Sequence, residues 1–140
     1  MIILDTNVLS ALMRPSLNRS VIVWLDGQPR TSVWTTAISV MEVRFGLSIG
    51  AAGRQRDARA VEFERVIADD LQDRILPFDR EAAEQTGILL AARQRGGKPR
   101  DMRDSMIAGI VLAQRATLAT RNVRHFDDLN VPVVDPWQGG

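Results

Sequence analysis

Five short apolar runs, each set apart from the next by residues with helical periodicity, constrain this chain more than any other feature. Ile2-Ile3-Leu4, Thr31 to Thr36, Ile75 to Phe78, Thr117 to Thr120 and Val131 to Val134 read as strands. Pro77 marks the third as an edge strand. Between them the spacing predicts helices over Val8 to Met13, from a cap at Asn18 to Gly27, over Ser39 to Gly50, and from about Arg54 to Leu71. Two more run from a cap at Asp79 to Gly96-Gly97, and from Asp101 or Asp104 through Leu112. Strands that alternate with helices predict an α/β fold: a central parallel sheet of about five strands flanked by helices in three layers. No repeat, low-complexity tract or linker interrupts the pattern, so residues 1–140 read as one domain. Sheets of this kind bind ligands beyond the carboxyl ends of their strands, near a topological switch point.

Composition narrows the chemistry available there. The 140 residues include no cysteine, which excludes thiol nucleophiles, disulfide frameworks and thiolate zinc sites. A single histidine, His125, excludes a histidine-rich metal site. No apolar run approaches the ~20 residues of a membrane span. Met1-Ile2-Ile3-Leu4 meets Asp5 at once, unlike a signal peptide. These features predict a soluble, cytoplasmic protein working through carboxylates and arginines. The net charge of +1 conceals a basic block: residues 91–125 hold eight basic and two acidic groups, and Arg121 and Arg124 lie near its end. Such a block either attracts a polyanion or is a solvated face.

Three acids stand out. Asp5 follows the first strand directly and serves either a site at the strand's end or a helix cap. Glu42 closes a Ser39-x-x-Glu42 capping-box pattern, yet it shares a helical face with Ile38, Met41, Phe45 and Ile49. An acid within an apolar stripe is costly unless paired or bound to a cation. Asp104 heads a stripe of Ile107, Ala108, Val111 and Leu112, and Asp101 is the better cap for that helix. Thr120-Arg121-Asn122 follows the fourth strand, where Asn122 serves either the site or a turn. Acids gathered from remote segments repel one another unless a hard cation such as Mg²⁺ joins them. No phosphate-binding glycine loop is present.

Leu4-Asp5-Thr6-Asn7, Val40-Met41-Glu42-Val43-Arg44-Phe45-Gly46, Arg103-Asp104-Ser105-Met106-Ile107-Ala108-Gly109 and Ala119-Thr120-Arg121-Asn122 followed by Phe126 resemble the motifs of PIN-domain ribonucleases. Within them the chain is most similar to VapC-type toxins of the FitB-like branch, which its segment Val133-Val134-Asp135-Pro136-Trp137 also resembles. The resemblance implies a PIN-like fold and Mg²⁺- or Mn²⁺-dependent hydrolysis of RNA by an activated water. It implies Asp5 and Asp104 as metal ligands, and Glu42 as a ligand through water or as the base that orients the attacking water. Thr6 and Thr120 match small hydroxyl positions. Asn122 falls where the family has a fourth acid, and an amide carries no charge to hold a second metal. The resemblance further implies a homodimer and a small antitoxin that keeps the toxin inactive. The alternative, favoured by Asn122, is a PIN-like module that binds nucleic acid with little catalysis.

Overall fold

The structure is a computed structural model that describes residues 1–139. Its strands are β1 (Ile2–Leu4), β2 (Val33–Thr36), β3 (Ile75–Leu76), β4 (Thr117–Ala119) and β5 (Val133–Val134), all parallel in one sheet of order β3-β2-β1-β4-β5. The helices are α1 (Thr6–Leu12), α2 (Arg19–Asp26), α3 (Ala37–Ile49), α4 (Arg54–Arg65), α5 (Arg80–Arg95) and α6 (Met102–Gln114). The expected architecture is therefore present. The chain begins at the central strand, builds outward through β2 and β3, then returns to the other side of β1 with β4. That reversal puts a switch point between the carboxyl ends of β1 and β4.

Both faces of the sheet are covered, as the alternation requires. Leu4, Val8, Leu12, Val21, Val43 and Phe63 belong to one buried cluster, and Ile3, Ile38, Leu89, Ile107, Ile110 and Phe126 to the other. Edge strand β3 is two residues long, because the segment after Leu76 leaves the ladder at Pro77, which has no N–H to donate. The second strand begins only at Val33, since Arg30–Ser32 form a 3₁₀ turn. The long fourth helix is α-helical to Arg65 and continues as a π-helical turn over Val66–Asp70.

Two expectations about α3 need correction. The helix starts at Ala37, not Ser39, because the Thr36 side chain caps it by accepting from the Ser39 N–H at 3.1 Å. Ser39 is thus inside the helix and the Ser39–Glu42 capping box does not form. The stripe of Met41, Phe45 and Ile49 is also not buried: these residues are exposed, and α3 turns Ile38, Val43 and Leu47 inward instead. Asp101 and Asp79 cap α6 and α5 as expected. Among the described residues no helix is long and apolar enough to cross a membrane.

Candidate functional site

Asp5 lies at the end of β1, only 3% exposed. Its two oxygens accept one hydrogen bond each: Oδ1 from the Thr6 N–H at 2.8 Å, and Oδ2 from the Thr120 hydroxyl at 2.7 Å. It caps α1, as one of its two readings expected, and it does so from the β1–β4 switch point. Neither partner is a cation. Burial pushes its carboxyl up to about 6, against the lowering effect of the Thr120 and Thr6 hydrogen bonds, and the nearby Asp104 and Glu42 carboxyls raise it further.

Glu42 arrives from α3 and is held by a relay of hydroxyls. Thr6 Oγ1 lies 2.9 Å from Glu42 Oε1 and 2.9 Å from Ser39 Oγ, which is 3.3 Å from the buried Thr36 hydroxyl. An ionised carboxylate only accepts, so the single Thr6 proton goes to Glu42 and Ser39 donates to Thr6. The guanidinium of Arg103 stands 3.7 Å from the other Glu42 oxygen. Asp104 comes from the first turn of α6, which starts at the carboxyl edge because it descends into parallel β4. Its Oδ2 lies 3.2 Å from His125 Nδ1.

Thr120 follows β4 directly and is buried. Its oxygen also accepts from the Asn122 N–H at 3.0 Å. Asn122 itself is exposed at the start of the 3₁₀ turn Val123–Phe126, and its side chain makes no capping bond. Asn7 Oδ1 accepts from the Arg121 N–H at 3.2 Å, tying α1 to the segment after β4 across the switch point. Arg121 stacks on Trp137, its guanidinium carbon 4.7 Å from the ring centre, whereas Arg124 lies exposed on the turn beyond.

The fold thus brings Asp5, Thr6, Glu42, Asp104 and Thr120 to one sheet edge, with Asn122 and Arg121 at its rim. Sequence reasoning missed Ser39 and Thr36 as supports of Glu42, because the capping-box spacing pointed the other way. Nor did it pair His125 with Asp104, since no local pattern carries a contact between residues 21 positions apart. As the side chains stand, no group of three His, Asp or Glu residues among the described residues is close enough together to hold a metal ion. Glu42 is drawn toward Thr6 and Arg103, and Asp104 toward His125. The donor set is nonetheless all hard oxygen around one buried carboxylate that its acidic neighbours destabilise, which fits a divalent cation.

The basic block is reassigned in part. Arg93 is buried, with Nε and Nη2 donating to Asp128 at 2.8 and 2.9 Å, and Arg100 pairs with Asp127 and Asp128. Those charges serve the fold rather than a free basic surface.

Comparison with known proteins agrees with this fold. The PIN domain family model matches residues 2–131. The chain is 34% identical over 138 residues to a protein named VapC ribonuclease Y4jK from Sinorhizobium fredii, with 99% of each covered. It is 34% identical over 137 residues to Toxin FitB of Neisseria gonorrhoeae, covering 98% of this chain and 99% of the toxin. A solved structure of FitAB bound to an IR36 DNA fragment superposes with a TM-score of 0.87 at 34% identity, covering 98% of this chain and 96% of that one.

Proposed function

Because this chain belongs to the PIN-domain family, we propose that it is a Mg²⁺- or Mn²⁺-dependent endoribonuclease, the toxin of a toxin–antitoxin pair, built as one domain over residues 1–140. The observation that carries this reading is the buried Asp5 carboxylate at the β1–β4 switch point, flanked by Glu42 and Asp104 and bonded to hydroxyl and amide donors, with no basic side chain paired to it. Asp5 and Asp104 would hold the metal. A divalent cation bound there lowers the pKa of a water and neutralises charge on a phosphate in transit. The chain's own groups do the rest. Thr6 and Thr120 fix the acids in place. Glu42, oriented through Thr6, accepts a proton from the attacking water. Asn122 offers a neutral oxygen at the rim, which supports a single tightly held ion rather than two. Arg121 and Arg124 offer cations to the RNA backbone.

Protein partners follow from the same reading. The relatives include a FitAB complex, and the exposed Met41, Phe45 and Ile49 on α3 are apolar surface suited to a second copy of the chain. A small antitoxin would keep such a toxin inactive in the cytoplasm.

The test is incubation of the purified protein with total RNA in Mg²⁺, then in EDTA. Cleavage is expected only with the metal, and Asp5→Asn or Asp104→Asn should lower it about 100- to 1,000-fold, the scale of losing one preorganised charge. Cleavage in EDTA, or near wild-type rates in both variants, would refute the site. RNA binding without cleavage in any metal would instead favour the nucleic-acid-binding module.

A further inference from the structure

A groove of about 470 Å³ opens beside the acids, a size typical of small-ligand sites (~300–1,000 Å³). Thr6 and Glu42 form one end of it, and it runs between α1 and α3 toward Arg14, Asn18 and Arg59, with Arg121 and Trp137 also on its walls. Glu42 is the one acid among the lining residues, against three arginines. Arg44, Arg65, Arg80, Arg93, Arg100 and Arg103 all pair with acidic side chains. Among the described residues, Arg14, Arg59 and Arg121 have no such pair. Eight other arginines and Lys98 also lack an acidic partner among the described residues; the three in this groove are set apart by lining one track that leads into the acids. Arg121 is stacked on Trp137, so the wall also carries a flat aromatic and guanidinium surface.

We propose that this groove carries the single strand flanking the scissile phosphate, with Arg14 and Arg59 on backbone phosphates and one base stacked at Trp137 and Arg121. The inference rests on the ribonuclease reading and extends it to the substrate's path. Free cations along a track with an aromatic face are the features that bind single strands without sequence preference. The acids at the far end repel a polyanion, so the arginines and the aromatic wall hold the strand, and a cation among the acids would strengthen that hold without being required for it. A protein segment is the competing occupant. The arginines favour the polyanion, because the groove's apolar lining (Ala11, Met13, Val43 and Leu47) is broken by Asn7, Ser10 and Asn18.

Gly46 supplies a clean test. It lies on the groove wall within α3, and a Cβ built there meets nothing within 4 Å. Gly46→Leu therefore fills the groove without disturbing the core, and replacing a helical glycine should leave the melting temperature equal or higher. The probe is a fluorescein-labelled single-stranded RNA of about twelve nucleotides and mixed sequence, titrated into the full chain in EDTA so that nothing is cleaved. Gly46→Leu and Arg14→Ala/Arg59→Ala should each weaken binding by about tenfold. The double variant should also flatten the slope of log affinity against log salt by ~0.7 per lost phosphate contact. RNA should quench tryptophan fluorescence in the wild type and not in Trp137→Leu. Wild-type RNA affinity in both Gly46→Leu and the double variant overturns the proposal. So does unchanged RNA binding with loss of a co-expressed protein partner, which makes the groove a protein site. Metal-dependent cleavage separates the two readings. Cleavage and binding intact in both variants refute the groove and leave the nuclease standing; groove-dependent binding without cleavage in any metal supports the groove and refutes the nuclease.

Discussion

Arg93 shows how much of the site rests on residues that never touch it. Besides holding Asp128 with two donors, it gives a hydrogen bond to the Ser105 hydroxyl at 2.8 Å and another to the His125 carbonyl at 3.2 Å. Ser105 adjoins Asp104, and His125 faces it. One buried guanidinium thus sets the first turn of α6 against the turn after β4. The Arg93 hydrogen bonds hold the Asp128 carboxyl below its ordinary range, against a smaller opposing effect of burial. An acid that binds its proton less tightly in the folded state adds stability at pH values above its unfolded value, ~3.9. That contribution is lost as pH falls through the lower folded value. Asp128→Asn should therefore be less stable than wild type in urea near neutral pH, and the gap should close as the pH drops below the unfolded value. A gap that stays constant across that range would show that the ion pair contributes nothing. None of this was legible in the chain. Arg93 sits 35 residues from Asp128, and a polar residue on a helix looks the same in sequence whether it faces water or a buried partner.

Helices α5 and α6 pack antiparallel so closely that Gly109 has no room for a side chain. A Cβ there would overlap the Thr86 hydroxyl and come within 2.7 Å of the Ala82 carbonyl oxygen. The Thr86 hydroxyl is itself bonded to that carbonyl at 2.7 Å, so neither atom is free to yield. Gly109→Ala gains helix propensity of roughly 1 kcal/mol and should still destabilise by about 1–3 kcal/mol, the range for overpacking. Chemical denaturation reads the sign; a stabilised Gly109→Ala protein would mean that the helices separate without cost. At this scale the sequence was informative wherever local chemistry decides. Strand β1, the caps at Asp79 and Asp101 and the edge position of β3 follow from apolar runs, capping side chains and a proline. It misled where tertiary packing decides. Helix α3 has apolar residues on more than one face, and periodicity cannot say that Val43 and Leu47 go inward while Phe45 and Ile49 stay out.

At the scale of the whole molecule, the acids meet because of strand order. Asp5 and Thr120 are 115 residues apart and share a hydrogen bond only because β1 and β4 are neighbours. The placement of both at strand carboxyl ends was legible, while the adjacency of those strands was not. The same topology buries Asp5 beside two other acids and gives the metal-free protein a pH dependence opposite to that of Asp128. A carboxyl raised to about 6 binds its proton more tightly folded than unfolded. Its contribution to stability therefore falls as pH rises from ~3.9 through about 6, and the full penalty is present above that. A divalent cation binds the ionised, folded form and competes with the proton. Mg²⁺ or Mn²⁺ should raise the melting temperature near neutral pH, by about 2.7 kcal/mol of added stability at a hundredfold excess over the dissociation constant. The shift should shrink as pH is lowered through about 6, where the proton already neutralises Asp5. Asp5→Asn, which removes the charge and keeps the shape, should lose both the pH sensitivity and most of the metal shift. Thermal melts of wild type and Asp5→Asn, with EDTA or millimolar Mn²⁺ at several pH values, measure all three effects. A wild-type melting temperature indifferent to Mn²⁺, or a shift as large in Asp5→Asn as in wild type, would place any bound cation away from the β1–β4 switch point.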